Sequence, residues 1–268
     1  MINIGLITKK QAKLRPNAWA VYDQTSNKRV TFSELDDLVK KIANGLLGLG
    51  LEKGDRVSIL SQNTIEFLAL FFACGRVGLV AHALNWRLGS DELTQIIENG
   101  QPKVIITQGQ FSKTTHDLHE KINFIDHWLE YGPDSNSSFE TLIEKASSNE
   151  PLVSSSIGDE DPFFILYTGG TTGISKGALH THKSAYFGML NQTVAERIVP
   201  SDVYMLTGQM FHIPVLLAMN YTSHGCPIVL MNFDAELALN LIQEEKVSGF
   251  LGITTMLNWM LAVKGFDN

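Results

Sequence analysis

Amphipathic helical stretches and short apolar runs succeed one another along most of this chain, and that order constrains the fold more than any single motif. Thr31-Phe32-Ser33-Glu34 is a capping box, in which the threonine hydroxyl and the glutamate side chain satisfy the free amides of a helix start. Leu35, Leu38, Val39, Ile42, Ala43 and Leu46 follow at helical spacing, with Gly50 placed to end the helix in a left-handed cap. A turn at Gly54-Asp55 leads to a strand over Arg56 to Leu60, a second helix over Ile65 to Val77 and an apolar run over Leu79 to Leu84. Ser90-Asp91-Glu92 opens a third helix, which ends near Gly100-Gln101-Pro102 before the strand Val104-Ile105-Ile106. Alternation of this kind predicts an α/β fold with parallel-rich sheets flanked by helices.

From Gln108 to Asp161 the pattern weakens, and serine clusters at Ser135 to Ser138, Ser147-Ser148 and Ser154 to Ser156 read as turn-rich punctuation. The alternation then resumes: strands are expected over Phe163 to Tyr167 and Pro227 to Met231. A helix capped by Asp234 runs to Lys246 and leads into Val247 to Leu251. The expected organisation is therefore a first α/β block over 1–107, a variable serine-rich segment over 108–161 and a second α/β block over 162–268, with no internal repeat.

Several function classes fall away on composition. The 28 acidic residues against 21 basic ones give a net charge of −7, the wrong sign for a general polyanion binder, so no nucleic-acid partner is expected. No segment reaches the ~18 uncharged apolar residues of a membrane-spanning helix. The first 15 residues lack the apolar core of a secretory signal. Two cysteines, Cys74 and Cys226, build neither a disulfide framework nor a cysteine zinc site, and a cytoplasmic protein with reduced thiols is expected.

The chemistry concentrates in Tyr167-Thr168-Gly169-Gly170-Thr171-Thr172-Gly173-Ile174-Ser175-Lys176-Gly177. Glycines let successive backbone amides converge on an anion, hydroxyls add donors able to ligate magnesium, and the lysine supplies charge; the result is a polyphosphate cradle. A Walker A loop needs Gly-Lys followed by Ser or Thr, whereas Lys176 lies between Ser175 and Gly177. A dinucleotide G-x-G-x-x-G is absent. Gly173 to Gly177 does satisfy G-x-S-x-G, the nucleophile elbow of α/β-hydrolases, which would make Ser175 a nucleophile; that elbow needs a strand just before it and a helix just after.

This loop resembles the phosphate-binding signature of the AMP-forming acyl- and aryl-CoA synthetases, an adenylate-forming family that includes luciferases and peptide-synthetase adenylation domains. Gly75-Arg76-Val77-Gly78, Leu84-Asn85-Trp86-Arg87-Leu88 with Asp91-Glu92-Leu93, Phe211-His212 and Phe250 to Met256 are similar to further family segments, in the family's order. The resemblance covers nearly the whole chain and implies the large-domain portion of an acyl-CoA synthetase-like fold. It also implies attack of a carboxylate on the α-phosphate of ATP, giving an acyl-adenylate, followed by transfer to coenzyme A, with Mg2+ assisting. By position, Thr168, Gly169, Gly170, Thr171, Thr172, Gly173 and Lys176 would hold the phosphates, Thr171 would ligate magnesium, and Lys176 and His212 would be catalytic. Phe211, His212, Gly252 and Thr254 would line the acid pocket. His180 and His182, two residues apart, are expected to be structural or loop residues rather than metal ligands. Most of Met205, Met210, Met219, Met256 and Met260 are expected in cores, with an adaptable pocket lining as the other role.

Some residues depart from the family pattern. Gly169 stands where serine is frequent, Ser175 where proline is frequent, and Thr254 replaces the proline of a G-x-P-T segment. The chain ends at Asn268, before the positions where the resemblance would place contacts to adenine and ribose and a small C-terminal domain with a catalytic lysine. An amino-terminal fragment, unable alone to complete acyl-CoA synthesis, is the resulting expectation. The Leu/Met/Phe-rich second block leans toward a fatty or other apolar acid, beside a fatty-acyl-AMP ligase or an aryl-CoA ligase. From other classes, a non-catalytic nucleotide-binding remnant and a hydrolase using Ser175 complete the alternatives.

Overall fold

The computed structural model describes residues 2–168 and 175–265. Two sheets carry the fold. The first has the order β6(His127–Tyr131)-β5(Val104–Gln108)-β3(Arg56–Leu60)-β4(Val80–Leu84)-β7(Pro162–Thr168)-β8(Lys176–Thr181). All its neighbours are parallel except the final hairpin of β7 and β8. The second has the order β11(Gly249–Phe250)-β9(Tyr204–Leu206)-β10(Ile228–Leu230)-β1(Trp19–Asp23)-β2(Lys28–Thr31), with β1 and β2 antiparallel and the rest parallel.

Between the sheets lies a helical layer made of α2(Phe32–Gly48), α3(Ile65–Val77) and α8(Pro214–Ser223). One face of each sheet buries against it: Val57, Ile59, Ala81, Ala83, Val104 and Ile106 from one, Tyr204, Leu206, Ile228 and Leu230 from the other. This enclosure explains the unbroken apolar run Phe67 to Cys74, every residue of which is fully buried. A helix covered on all sides has no need of a polar face. Thr64 caps α3 by accepting from the Phe67 amide, and Gly78 ends it at φ +75. On the outer faces, α4(Ser90–Gly100) and α5(Ser112–Lys121) cover the first sheet, while α9(Ala235–Glu244) and α10(Thr254–Leu261) cover the second.

The capping box at Thr31 and Glu34 forms with both hydrogen bonds, and α2 stops before Gly50 at φ +84. Asp234 caps α9 through the Leu237 amide. The segment 108–161 holds more order than its serine clusters suggest. It supplies α5, the edge strand β6 paired with β5, and the short α6(Ser138–Lys145), and it sends Tyr131 and Phe139 into the central layer. Met205, Met210, Met219 and Met260 are buried in the cores, and Met256 is half-buried.

The amino terminus is strapped to the same layer. Arg76 of α3, fully buried, donates to the Gly5 carbonyl at 3.0 Å, to Thr8 Oγ1 at 2.9 Å and to Asp36 Oδ1 at 2.6 Å. The sequence motif around Gly75 and Arg76 is thus a docking point. A Cβ on Gly5 would lie 2.0 Å from the Arg76 backbone nitrogen, and one on Gly75 would lie 2.8 Å from the Phe163 ring.

Candidate active site

The glycine- and threonine-rich loop connects β7 to β8. These strands pair antiparallel down to Thr168 opposite Lys176, so both residues stand at the root of the loop and both are exposed. Gly169, Gly170, Thr171, Thr172 and Gly173, expected to hold phosphate, and with them the magnesium assignment to Thr171, lie outside the described residues. Glycine is required at 177, since a Cβ there would lie 2.8 Å from Tyr167 Cζ across the hairpin. The Tyr167 hydroxyl in turn donates to Asn99 Oδ1 of α4 at 2.5 Å.

Two imidazole–phenyl stacks hold the outgoing strand. His180 lies on Phe164 at 4.6 Å and His182 on Phe163 at 4.8 Å. His182 Nδ1 also accepts from the Ile4 amide at 3.2 Å, tying the hairpin to the amino-terminal strap. Burial pushes the His182 pKa down to about 4. Helix α7(His182–Glu196) starts only after the six residues of β8. Ser175 is therefore followed by a strand rather than a helix, and the nucleophile-elbow geometry is not formed.

Because β4 and β7 run side by side and parallel, the chain leaving β4 at Asn85 and the loop leaving β7 at Thr168 emerge together at the carboxyl ends of the strands. Half-buried Trp86 stands there, edge-on to Phe211 at 6.4 Å and 5.9 Å from Phe111. The Arg87 guanidinium lies 5.1 Å from the Trp86 ring and 5.9 Å from Phe211. Phe211 itself is buried, and exposed His212 meets it edge-on at 4.6 Å. Partial desolvation, with the Arg87 charge adding to it, lowers the His212 pKa and keeps its ring neutral near pH 7.

The segment 207–212, which carries Phe211 and His212, is pinned at several points. Thr207 Oγ1 donates to the Leu251 carbonyl at 2.5 Å, which joins this loop to the one holding Gly252. Trp86 Nε1 donates to Gln209 Oε1 at 3.0 Å, and the buried Asn63 side chain bonds the backbone of Gly208 and Met210. Gly252 is tightly enclosed by Leu257 and Phe250, while Thr254 is exposed at the start of α10.

The structure thus brings Thr168 together with Lys176, Phe211 with His212, Phe211 with Trp86 and Arg87, and the Arg87 charge within range of His212. Among the described residues no hydrogen bond or ion pair joins Lys176 to His212. Sequence reasoning missed Asn63 and Gln209, polar residues whose partners come from distant chain segments. Among the described residues, no group of three His, Cys, Asp or Glu side chains could hold a metal ion. The oxygen donors at the hairpin root are the hydroxyls of Thr168 and Ser175. Such donors suit a hard cation that keeps waters and substrate phosphate oxygens as its other ligands. No helix among the described residues is long and apolar enough to cross a membrane.

A family model described as AMP-binding enzyme matches residues 8–268. The long-chain-fatty-acid–CoA ligase FadD13 of Mycobacterium tuberculosis is 30% identical over 271 residues, covering 99% of this chain and 52% of that protein. The 4-coumarate–CoA ligase 3 of Arabidopsis thaliana is 30% identical over 231 residues, covering 84% of this chain and 41% of that one. An inhibitor-bound crystal structure of the N-terminal domain of FACL13 from Mycobacterium tuberculosis superposes with a TM-score of 0.94 at 28% identity, over 100% of this chain and 67% of that one. The chain spans about half the length of the curated relatives it matches.

Proposed function

The chain belongs to the AMP-binding enzyme family, and on that premise we propose that it serves the ATP-dependent activation of a carboxylic acid. The carboxylate attacks the α-phosphate and pyrophosphate leaves; the thiol of coenzyme A then attacks the carbonyl of the acyl-adenylate, forming the thioester as AMP leaves. The observation that carries this reading is the juxtaposition, at the carboxyl ends of the strands, of a hairpin rooted in Thr168 and Lys176 with the Trp86, Arg87, Phe211 and His212 cluster.

Each residue has a task in that chemistry. A carboxylate and a triphosphate repel one another, and the developing charge on the leaving pyrophosphate has to be met by fixed donors. Lys176, exposed at the loop root, supplies a cation there, and Thr168 a hydroxyl donor. Arg87 draws in the carboxylate. His212, neutral near pH 7, offers an N–H to one carboxylate oxygen without itself needing to lose a proton. Magnesium, when bound with ATP, neutralises phosphate charge.

For the acid, we favour a fatty or other apolar chain. The buried Phe211 and Met210 beside the neutral His212 support it, and FadD13 carries a long-chain fatty acid in its name. An aryl acid is the second reading, favoured by the convergence of the Trp86, Phe111 and Phe211 rings and by the 4-coumarate ligase among the relatives.

The test is acid-dependent ATP–pyrophosphate exchange by the whole gene product, with decanoate and 4-coumarate compared. Exchange that requires an acid and falls about 100-fold or more in Lys176→Ala is expected, as for loss of a group acting on transition-state charge. Exchange indifferent to Lys176 removes that residue from its role. No exchange with any acid, together with retained ATP binding, would favour a nucleotide-binding remnant.

A further inference from the structure

Asn63 closes the turn between β3 and α3, in the sheet that carries the phosphate hairpin, and is 1% exposed. All its side-chain hydrogen bonds go to segments that leave strands β9 and β10 of the other sheet. Nδ2 donates to the Gly208 carbonyl at 2.8 Å and to the Met231 carbonyl at 3.0 Å, and Oδ1 accepts from the Met210 amide at 2.9 Å. The amide has only one workable orientation, because exchanging its O and N would set an oxygen against two carbonyls and an NH2 against an N–H.

Gly208 and Met210 flank Gln209, so the Asn63 amide clips the backbone on both sides of it. The Gln209 side chain receives the Trp86 indole N–H at 3.0 Å, and the Trp86 ring meets Phe211. The loop is therefore held by Asn63 and by Trp86 at points two to four residues ahead of His212. It has little slack on its remaining side, since a Cβ on Gly208 would come within 2.5 Å of Pro214.

We propose that Asn63 is a positioning residue for the carboxylic acid: from the nucleotide-side sheet it sets the backbone of the loop 207–212 and thereby the placement of Phe211 and His212. The assignment rests on the reading of those two residues as the acid side of the site. Its consequence is selective. Loss of the clip displaces the acid wall while leaving the β7–β8 hairpin, with its own His–Phe stacks, where it was.

The test uses the full chain and two variants, Asn63→Ala and Asn63→Asp. The aspartate is nearly isosteric but cannot donate to the two carbonyls. Hydrogen–deuterium exchange of 207–212 is compared with that of 162–168, and binding of decanoate and of ATP is measured by calorimetry. Faster exchange confined to 207–212, decanoate binding weakened about 10-fold or more, and ATP binding unchanged within about 2-fold are expected, since buried amide bonds of this kind are worth roughly a factor of ten each. Unchanged exchange in the loop, or equal weakening of both ligands, overturns the proposal. Should neither variant fold, Asn63→Ser, whose hydroxyl can replace only one of the amide's bonds, is expected to give the same selective pattern, and equal weakening of both ligands there overturns it too. A wild-type chain that binds neither ligand refutes the reading of the site itself, and the acid-positioning role with it, even if the loop exchange responds to Asn63.

Discussion

Removing the Asp36 carboxylate should destabilise this protein far more than removing its buried partner, Arg76. The two form a 2.6 Å pair in which Arg76 is entirely inaccessible and the Asp36 side chain is 8% exposed. In Asp36→Ala the guanidinium stays in the core with only the Gly5 carbonyl and Thr8 hydroxyl within hydrogen-bond reach, and the Glu150 carboxylate 3.9 Å away. Stripping a buried charge of its partner costs about 3–5 kcal/mol. In Arg76→Met the situation differs, because Asp36 keeps the Thr8 hydroxyl at 2.8 Å and Lys40 at 3.5 Å, and it retains an edge in water. The remaining loss is the cation itself and the unpaired Gly5 carbonyl, about 1–3 kcal/mol.

The double variant Asp36→Leu with Arg76→Met leaves no charge to desolvate, so its stability should fall within about 2 kcal/mol of wild type. Urea unfolding of wild type, the double variant and the two matching single variants, Asp36→Leu and Arg76→Met, gives the cycle directly, with Asp36→Ala measured beside them. At roughly 2–4 °C per kcal/mol for a chain of this size, Asp36→Ala should lower Tm by about 6–20 °C. Equal costs for the two single variants, or a double variant whose cost is their sum, would refute the claim that burial asymmetry governs this pair.

Three further outcomes are expected. Gly177→Ala places a methyl 2.8 Å from Tyr167 Cζ, so overpacking should cost about 1–3 kcal/mol in urea unfolding and weaken ATP binding measured by calorimetry. The folded-state pKa of His182, pushed down to about 4, lies below its unfolded value of 6.5. The unfolded chain therefore takes up a proton that the folded one refuses; stability is complete above about pH 6.5 and falls by ~3 kcal/mol toward pH 4. His82, pushed down to about 3 by burial, adds to the same acid limb, and His182→Gln should flatten it only in part. Finally, Arg87→Gln should raise the His212 pKa, because the Arg87 charge is one of the causes holding it down; an NMR titration that does not move would remove Arg87 from the acid side.

What was legible in the sequence was what local chemistry specifies. The capping threonine, the strand Arg56–Leu60 and the helix Ile65–Val77 all follow from neighbours a few positions away. The apolar run of α3 was readable as a helix, although not as one enclosed by two sheets. Edge strand β6 was not legible: its sequence, His-Trp-Leu-Glu-Tyr, is half-buried over four of five positions, so it shows neither an unbroken apolar run nor a clean alternation. The proposed phosphate loop stood out in the sequence because a cradle of amides needs glycine and hydroxyl residues in one continuous stretch. Asn63 could not announce itself, since its partners Gly208 and Met210 stand 145 and 147 positions away and an isolated asparagine after a strand reads as a turn. His182 was expected to be structural, and its stack on Phe163 and bond to Ile4 give it that use.

The two halves of the proposed reaction hang on different sheets. The phosphate hairpin ends the first sheet, and the loop of Phe211 and His212 leaves β9 of the second. Each half has its own anchors, the base of the hairpin in its His–Phe stacks and the loop in Trp86 and Asn63. An in-line attack needs the carboxylate and the α-phosphate to be registered within a fraction of an ångström, and neither half can set that register alone. On the proposed reading it falls to the Trp86 and Asn63 bridges and to what lies between the sheets, a layer in which α3 packs on the first sheet and α2 and α8 on the second. Close-packed interiors transmit strain rather than absorb it. If the proposed reaction runs across these two sheets, the fully buried run from Phe67 to Cys74 does more than stabilise the fold: it helps set the distance across which that chemistry would work, and so the most sequence-bland stretch of the chain would share in the reaction geometry with the glycine-rich loop.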